Sequence, residues 1–174
     1  LDQQRLCAVP LSVVDLEMTG LSAARDRICE VAVVCGDSGQ VRREVHSLVR
    51  PDVPMTPGAQ ACHGLSEDML ADAPAFDELA DEVAGALDRR AFVAHNVPFD
   101  LGFLVKEMGE AGRTLPPPVT LDTLLMARRL FAFRKNNLGS VAKELGVSMD
   151  RAHRALDDAR ATFDVFNRMV EILD

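Results

Sequence analysis

Three apolar, largely β-branched runs crowd the first fifty residues, and they constrain the fold more than any other feature of the chain. Residues 9–17 (Val-Pro-Leu-Ser-Val-Val-Asp-Leu-Glu) read as a buried strand that breaks at Thr19-Gly20, a turn signal. Residues 28–35 form a second run, and Gly36-Asp37-Ser38-Gly39 turns it into a third at 41–49, where apolar and polar residues alternate. Three such runs in succession predict a β-meander.

Beyond residue 50 the pattern changes. Residues 51–65 are punctuated by Pro and Gly and read as a loop. Phe76, Leu79, Ala80, Val83 and Leu87 recur at helical spacing. Residues 91–95 suit a fourth strand, and Asn96 is a suitable N-cap for a helix to about residue 111, with Pro98 in its first turn. The run Pro116-Pro117-Pro118 forces an extended connector into a short fifth strand or helix start at 119–122. Helices follow at about 123–131, 138–145 and 155–173. This order predicts an α/β fold, a five-stranded mixed sheet flanked by helices, in a single domain over residues 1–174.

No apolar run reaches the roughly 18–20 residues that span a bilayer, and residues 1–5 lack the zones of a signal peptide. The start at Leu1 suggests an excised domain, and the end at Asp174, just after the last helix, is expected to leave no binding tail. Cys7, Cys29, Cys35 and Cys62 contain no Cys-x-x-Cys pair and are expected as buried free thiols in a cytoplasmic protein. Net charge is −8, which at first argues against a nucleic-acid partner. Nine of the 27 acids, however, fall in residues 51–88, which contain no Lys or Arg; the other 18 face 19 basic residues. An acidic chain of this kind does not exclude a polyanionic substrate.

Neither G-x-G-x-x-G nor G-x-x-x-x-G-K-[ST] occurs, so dinucleotide and P-loop readings fail. Asp15 and Glu17 stand two apart on a strand otherwise made of Val13, Val14 and Leu16, so both point to one face. Side by side there, they resist ionisation unless something positive holds them or the strand ends in solvent. Asp100 falls in the first turn of a helix and shares a face with Phe103 and Leu104. In His153-Arg154-Ala155-Leu156-Asp157-Asp158, helical projection chooses between the acids. Leu156, Ala159, Phe163, Phe166 and Val170 define the apolar arc; Asp158 lies at its edge, and Asp157 lies opposite with Asp164, Arg168 and Glu171. His153 belongs on the loop or first turn leading in. Four inward carboxylates and one His favour Mg²⁺ or Mn²⁺ over zinc, and two such ions suit displacement at phosphorus.

The segments Val14-Asp15-Leu16-Glu17-Met18-Thr19-Gly20-Leu21, His95-Asn96-x-x-Phe99-Asp100-x-x-Phe103-Leu104 and His153-x-Ala155-Leu156-x-Asp158-Ala159 resemble the three motifs of the DEDDh (DnaQ-like) 3′–5′ exonucleases. That family includes the proofreading epsilon subunit of bacterial DNA polymerase III, ribonuclease T and oligoribonuclease. The resemblance covers residues 10–172 and implies a ribonuclease H-like fold. It further implies that Asp15, Glu17, Asp100 and Asp158 hold two divalent ions, Mg²⁺ or Mn²⁺, with Asp15 bridging both. His153 is then the general base on the attacking water, and a nucleoside 5′-monophosphate departs.

Expected substrate contacts are Thr19, Gly20 and Leu21 in the turn, with His63, Asn96, Phe99 and Phe103. Asn96 reads first as the helix cap, and both Phe rings suit core as well as stacking. Arg128, Arg129, Arg134 and Lys135 form the concentrated basic stretch, suited to backbone phosphates or to a solvated helix end. The expected partner is a single-stranded 3′ end, DNA ahead of RNA, with a DNA polymerase as a candidate companion. The first motif resembles oligoribonuclease and the second the polymerase-associated group, which keeps an exoribonuclease as the alternative. A non-catalytic nucleic-acid-binding module is the remote one, since all five catalytic positions are filled.

The adjacent aspartates give a sharp test of this register. Asp158→Asn keeps shape but removes an inward charge, and turnover should fall at least about a hundredfold, about 2.7 kcal/mol at the barrier. Asp157→Asn should change turnover only a few fold. Nuclease rates on variants shown to be folded decide it, and a dead Asp157→Asn beside a normal Asp158→Asn would overturn the register.

Overall fold

A computed structural model describes residues 8–149 and 153–173. Strands β1 (Leu11–Met18), β2 (Ile28–Asp37) and β3 (Gln40–Leu48) form the expected meander. Helices α1 (Pro57–His63), α2 (Glu67–Leu70) and α3 (Phe76–Leu87) follow, then β4 (Ala91–Ala94), α4 (Val97–Glu110) and β5 (Thr120–Asp122). Helices α5 (Thr123–Leu130), α6 (Leu138–Leu145) and α7 (Ala155–Leu173) complete the chain. Among the described residues, no helix is long and apolar enough to cross a membrane.

The five strands form one sheet in the order β3-β2-β1-β4-β5. The meander pairs antiparallel, whereas β4 joins β1, and β5 joins β4, in parallel. Period-two alternation sends the two faces of β1 to different helices. Val14, Leu16 and Met18 pack with α3 and α4, through Phe76, Val83, Phe103 and Met108. Leu11 and Val13 face the other way, against Ala159, Phe163 and Phe166 of α7. A helical layer therefore covers each face of the sheet. Strand β3 is an edge whose exposed Arg42, Arg43 and Glu44 discourage pairing with another chain.

Two expectations about the first half need correction. Residues 51–65 are not all loop, because α1 lies within them. Thr56 caps it by accepting from the Ala59 N–H, Pro57 opens it, and Gly64 closes it in the left-handed region (φ 73°). Of the thiols, Cys29 and Cys35 are buried and free, but Cys62 is exposed on the last turn of α1. Cys7 lies outside the described residues.

The register of β1 opens room for a site. The β1–β4 ladder ends at Val13↔Val93, while β1 continues to Met18. Beyond that point the flank of β1 facing β4 is open to groups other than a strand. Carboxyl ends of parallel strands are where ligands bind in such sheets.

Close packing between sheet and α7 has a measurable signature at Gly36. A Cβ there would sit 2.1 Å from the Phe163 ring, whereas one at Gly85 of α3 would meet nothing within 4 Å. Gly36→Ala should cost about 1–3 kcal/mol by overpacking, and Gly85→Ala should stabilise by up to about 1 kcal/mol through helix propensity. Melting curves of the two variants check the contrast, and equal shifts would contradict it.

Candidate active site

Odd-numbered residues of β1 face α7, which puts Asp15 and Glu17 on the same side of the sheet as Asp158. One carboxylate oxygen from each of these three residues lies within 4.8 Å of the others. Asp100 is outside that triad. It reaches β1 from α4, where its Oδ1 accepts the Leu16 N–H at 3.2 Å, just past the point where β4 ends. A buried backbone donor that lacks a strand partner is thus satisfied by a site carboxylate.

Close carboxylates in a half-dry cleft resist ionisation. Burial is the largest cause at all four. It raises Asp15 well above the usual carboxylate range, with added repulsion from Asp100, Asp158 and Glu17. Glu17 is pushed up to about 8 by burial and then by Asp158 and Glu30. Asp100 is raised to about 7 by burial, against the pull of the Leu16 N–H. Asp158 is raised as well, although the His153 N–H and the His153 ring both favour its ionised form.

Asp158 is 8% exposed and lies on the inward face of α7 beside Thr162, Val165 and Met169. Asp157 is half-buried on the outer side, 3.9 Å from Arg160. His153 stands in the turn before α7, exposed and at φ 65°, where its N–H donates to Asp158 Oδ2 at 3.0 Å. Its Nδ1 lies 3.7 Å from the Cys62 sulfur. The other Asp158 oxygen, Oδ1, is buried without a hydrogen-bond partner. An orphaned anionic oxygen within an all-oxygen donor set suits a hard divalent cation.

Remaining positions divide sharply. Leu21 is 85% exposed beside the end of β1, whereas Thr19 and Gly20 are buried. Thr19 Oγ1 accepts the Arg27 N–H at 3.0 Å, and a Cβ on Gly20 would lie 2.5 Å from the Asp26 carboxyl group. His63 is 7% exposed, with Nδ1 accepting from the Leu65 N–H and Nε2 donating to the Met18 carbonyl. Those bonds leave it no free ring nitrogen for a substrate; it pins the end of β1. Phe103 is fully buried and meets half-buried Phe99 edge-on at 5.5 Å, so Phe103 is core and cannot stack on a base. Asn96 sits at the N-cap position in the left-handed region (φ 90°), but its side chain makes no cap bond. Asp122 performs that task from β5, accepting the Asn96 N–H at 3.2 Å and the Val97 N–H at 3.0 Å. Arg128, Arg129, Arg134 and Lys135 are all exposed, and among the described residues none pairs with a carboxylate.

Two further carboxylates anchor the helices that carry the site. Asp122 holds the start of α4, and Glu30 of β2 meets the start of α7. Only a buried acid inside the apolar run at 28–35 hinted at the second. A cavity of about 840 Å³ opens at the opposite ends of β1 and β4 among Leu87, Phe92, Leu101 and Pro117, and holds no acidic cluster.

The sequence profile of the RNase T exonuclease family matches residues 12–166. The chain belongs to this exonuclease family. Its exonuclease fold resembles exonuclease X in complex with 5′-overhanging duplex DNA, with a TM-score of 0.75 and 28% identity over 93% of this chain and 92% of that one. An exonuclease I–single-stranded DNA complex from E. coli shares the fold at a TM-score of 0.84 and 19% identity, over 96% of this chain and 41% of that one. Among curated relatives, the PolC-type DNA polymerase III of Thermotoga petrophila is 37% identical over 92% of the chain. The 3′–5′ exonuclease DinG of Bacillus subtilis is 34% identical over 92%. The chain spans 12% and 18% of those two proteins' lengths.

Raised carboxylate pKa values make a thermodynamic prediction. Above about pH 4 the unfolded acids release protons that the folded site retains. Without divalent cations, stability should therefore fall as pH rises from about 4 through about 8, where Glu17 titrates. Mn²⁺ should restore it, with the gap in melting temperature between Mn²⁺ and chelator widening over that range. Glu17→Gln should flatten the slope in chelator. A gap independent of pH would contradict this charge balance.

Proposed function

We propose that this exonuclease domain removes nucleoside 5′-monophosphates from the 3′ ends of single-stranded DNA, in replication or repair. The observation that carries the proposal is that Asp158, whose Oδ1 is buried without a hydrogen-bond partner, joins Asp15 and Glu17 in a cluster of carboxylates with one oxygen each within 4.8 Å of the others. Asp15, Glu17, Asp100 and Asp158 would hold two divalent ions, Mg²⁺ or Mn²⁺. When bound, such ions offset the carboxylate charge and stabilise negative charge developing on a phosphodiester.

The chain's own residues supply the rest. Asp158 fixes the turn that carries His153 through the His153 N–H, and the exposed imidazole takes the proton of the attacking water. Leu21, projecting from the turn after β1, offers an apolar edge to the terminal base. Exposed Arg128, Arg129, Arg134 and Lys135 lie on the segment after β5 and suit the phosphates of a single strand. Similarity to PolC-type polymerases supports a DNA polymerase as partner, and buried free Cys29 and Cys35 are consistent with a cytoplasmic setting.

Matched 5′-labelled DNA and RNA single strands, with Mg²⁺ or Mn²⁺ and resolved as a ladder, test the proposal. DNA should shorten stepwise from its 3′ end, faster than RNA. A blocked 3′ terminus should resist, and EDTA should stop the reaction. Full activity in chelated buffer would overturn the metal dependence, cutting of a circular strand the exonuclease polarity, and faster decay of RNA the assignment to DNA.

A further inference from the structure

We infer that Glu30, acting with Arg154, is a positioning residue for the nuclease site, an inference that rests on the roles proposed for Asp158 and His153. Glu30 lies opposite Glu17 in the β1–β2 register, and its side chain is fully buried. Four nitrogen atoms meet its carboxylate. Arg154 donates from Nη2 at 2.9 Å to Oε1 and from Nε at 3.1 Å to Oε2. His46 Nε2 lies 2.8 Å from Oε1, and the Ala155 N–H donates to Oε2 at 3.2 Å.

The Ala155 N–H is the first of α7, so Glu30 caps that helix from the sheet, 125 residues away in sequence. Arg154 is the residue between His153 and the helix. Asp158 ties back to His153 by accepting its N–H, and His153 adopts a positive φ that few non-Gly residues take. The turn bearing His153 and the first turn bearing Asp158 are thus clamped on one side by Asp158 itself and on the other by Glu30. Through that clamp, β2 fixes how α7 meets β1, and so how close Asp158 comes to Asp15 and Glu17. A buried ion pair is a poor source of stability compared with an apolar pair of the same volume. Glu30 also repels Glu17 and Asp158, which makes its presence here a cost to the carboxylate cluster.

Charge and position make opposite predictions. If Glu30 and Arg154 acted only through their fields, Glu30→Gln would weaken cation binding and Arg154→Gln would strengthen it. As a positioning pair, both substitutions weaken it. Mn²⁺ titrations followed by the electron paramagnetic resonance of the free ion, on variants matched to the parent by circular dichroism, read this without any turnover. Both should lose roughly 10–100-fold in Mn²⁺ affinity or in kcat on single-stranded DNA. KM should stay near the parent value, and the double variant should be no worse than either single one. Arg154→Lys keeps the charge but not the two-point grip, and should fall with the others even if Glu30→Gln does not fold. Opposite shifts for Glu30→Gln and Arg154→Gln, or a parent-like Arg154→Lys, would overturn the inference. A parent that binds Mn²⁺ but degrades no strand would instead sink the proposed function while leaving the comparison of Mn²⁺ affinities intact.

Discussion

Repulsion among Asp15, Glu17, Asp158 and Asp100 is the constraint around which the rest of the molecule is arranged. Burial and mutual repulsion raise the pKa values of these acids, so the fold must supply enough packing to hold them together regardless. Strand β1 does so by being buried on both faces, with Val14, Leu16 and Met18 against one helical layer and Leu11 and Val13 against the other. The two acids of β1 occupy the end of the face that turns toward α7. On the proposed reading, losing one charge there relieves repulsion but also removes a cation ligand, so stability and activity are expected to respond in opposite directions.

Neither site-bearing helix is held at its start by its own cap residue alone. Helix α4, which carries Asp100, begins under Asp122 of β5; α7, which carries Asp158, begins under Glu30 of β2. In each case a carboxylate rooted in the sheet accepts the first free N–H groups of a helix, satisfying donors that would otherwise be orphaned. His95 extends the first anchor, with Nδ1 2.9 Å from Thr123 Oγ1 and Nε2 2.8 Å from the Asn136 carbonyl. Side chains on helices fixed in this way are placed more accurately than side chains on loops. His153 is the exception, carried on a turn, and that turn is secured by Asp158.

Much of this architecture was legible in the sequence because it rests on periodicity. The meander, β4, α4 and α7 follow from alternation and helical spacing, and projection around α7 separates buried Asp158 from outward Asp157. What was not legible depends on contacts between distant residues. Helix α1 was hidden by Pro57 and Gly64, which look like loop punctuation until they are recognised as its first and closing positions. Nothing local to His63 says that Leu65 and Met18 will use both its nitrogens, or that Phe103 will be sealed in the core. Asn96 carries the right residue type for a cap, yet its side chain makes no cap bond, and an acid 26 residues away accepts its own backbone N–H instead.

An overall charge of −8 must still be reconciled with a polyanionic substrate. The acidic segment at 51–88 includes α3, which packs on the sheet face away from α7. Several of its acids are already paired there, Asp81 with Arg113 at 2.6 Å and Glu82 with Arg43 at 3.5 Å. Charges more than a Debye length apart, about 8–10 Å at physiological salt, are largely screened in solvent. On the proposed reading, a strand approaching the α7 side responds to local groups: site carboxylates offset by cations, and the exposed Arg128, Arg129, Arg134 and Lys135. Net charge describes the whole molecule, but binding samples chiefly the field within about a Debye length of the phosphates.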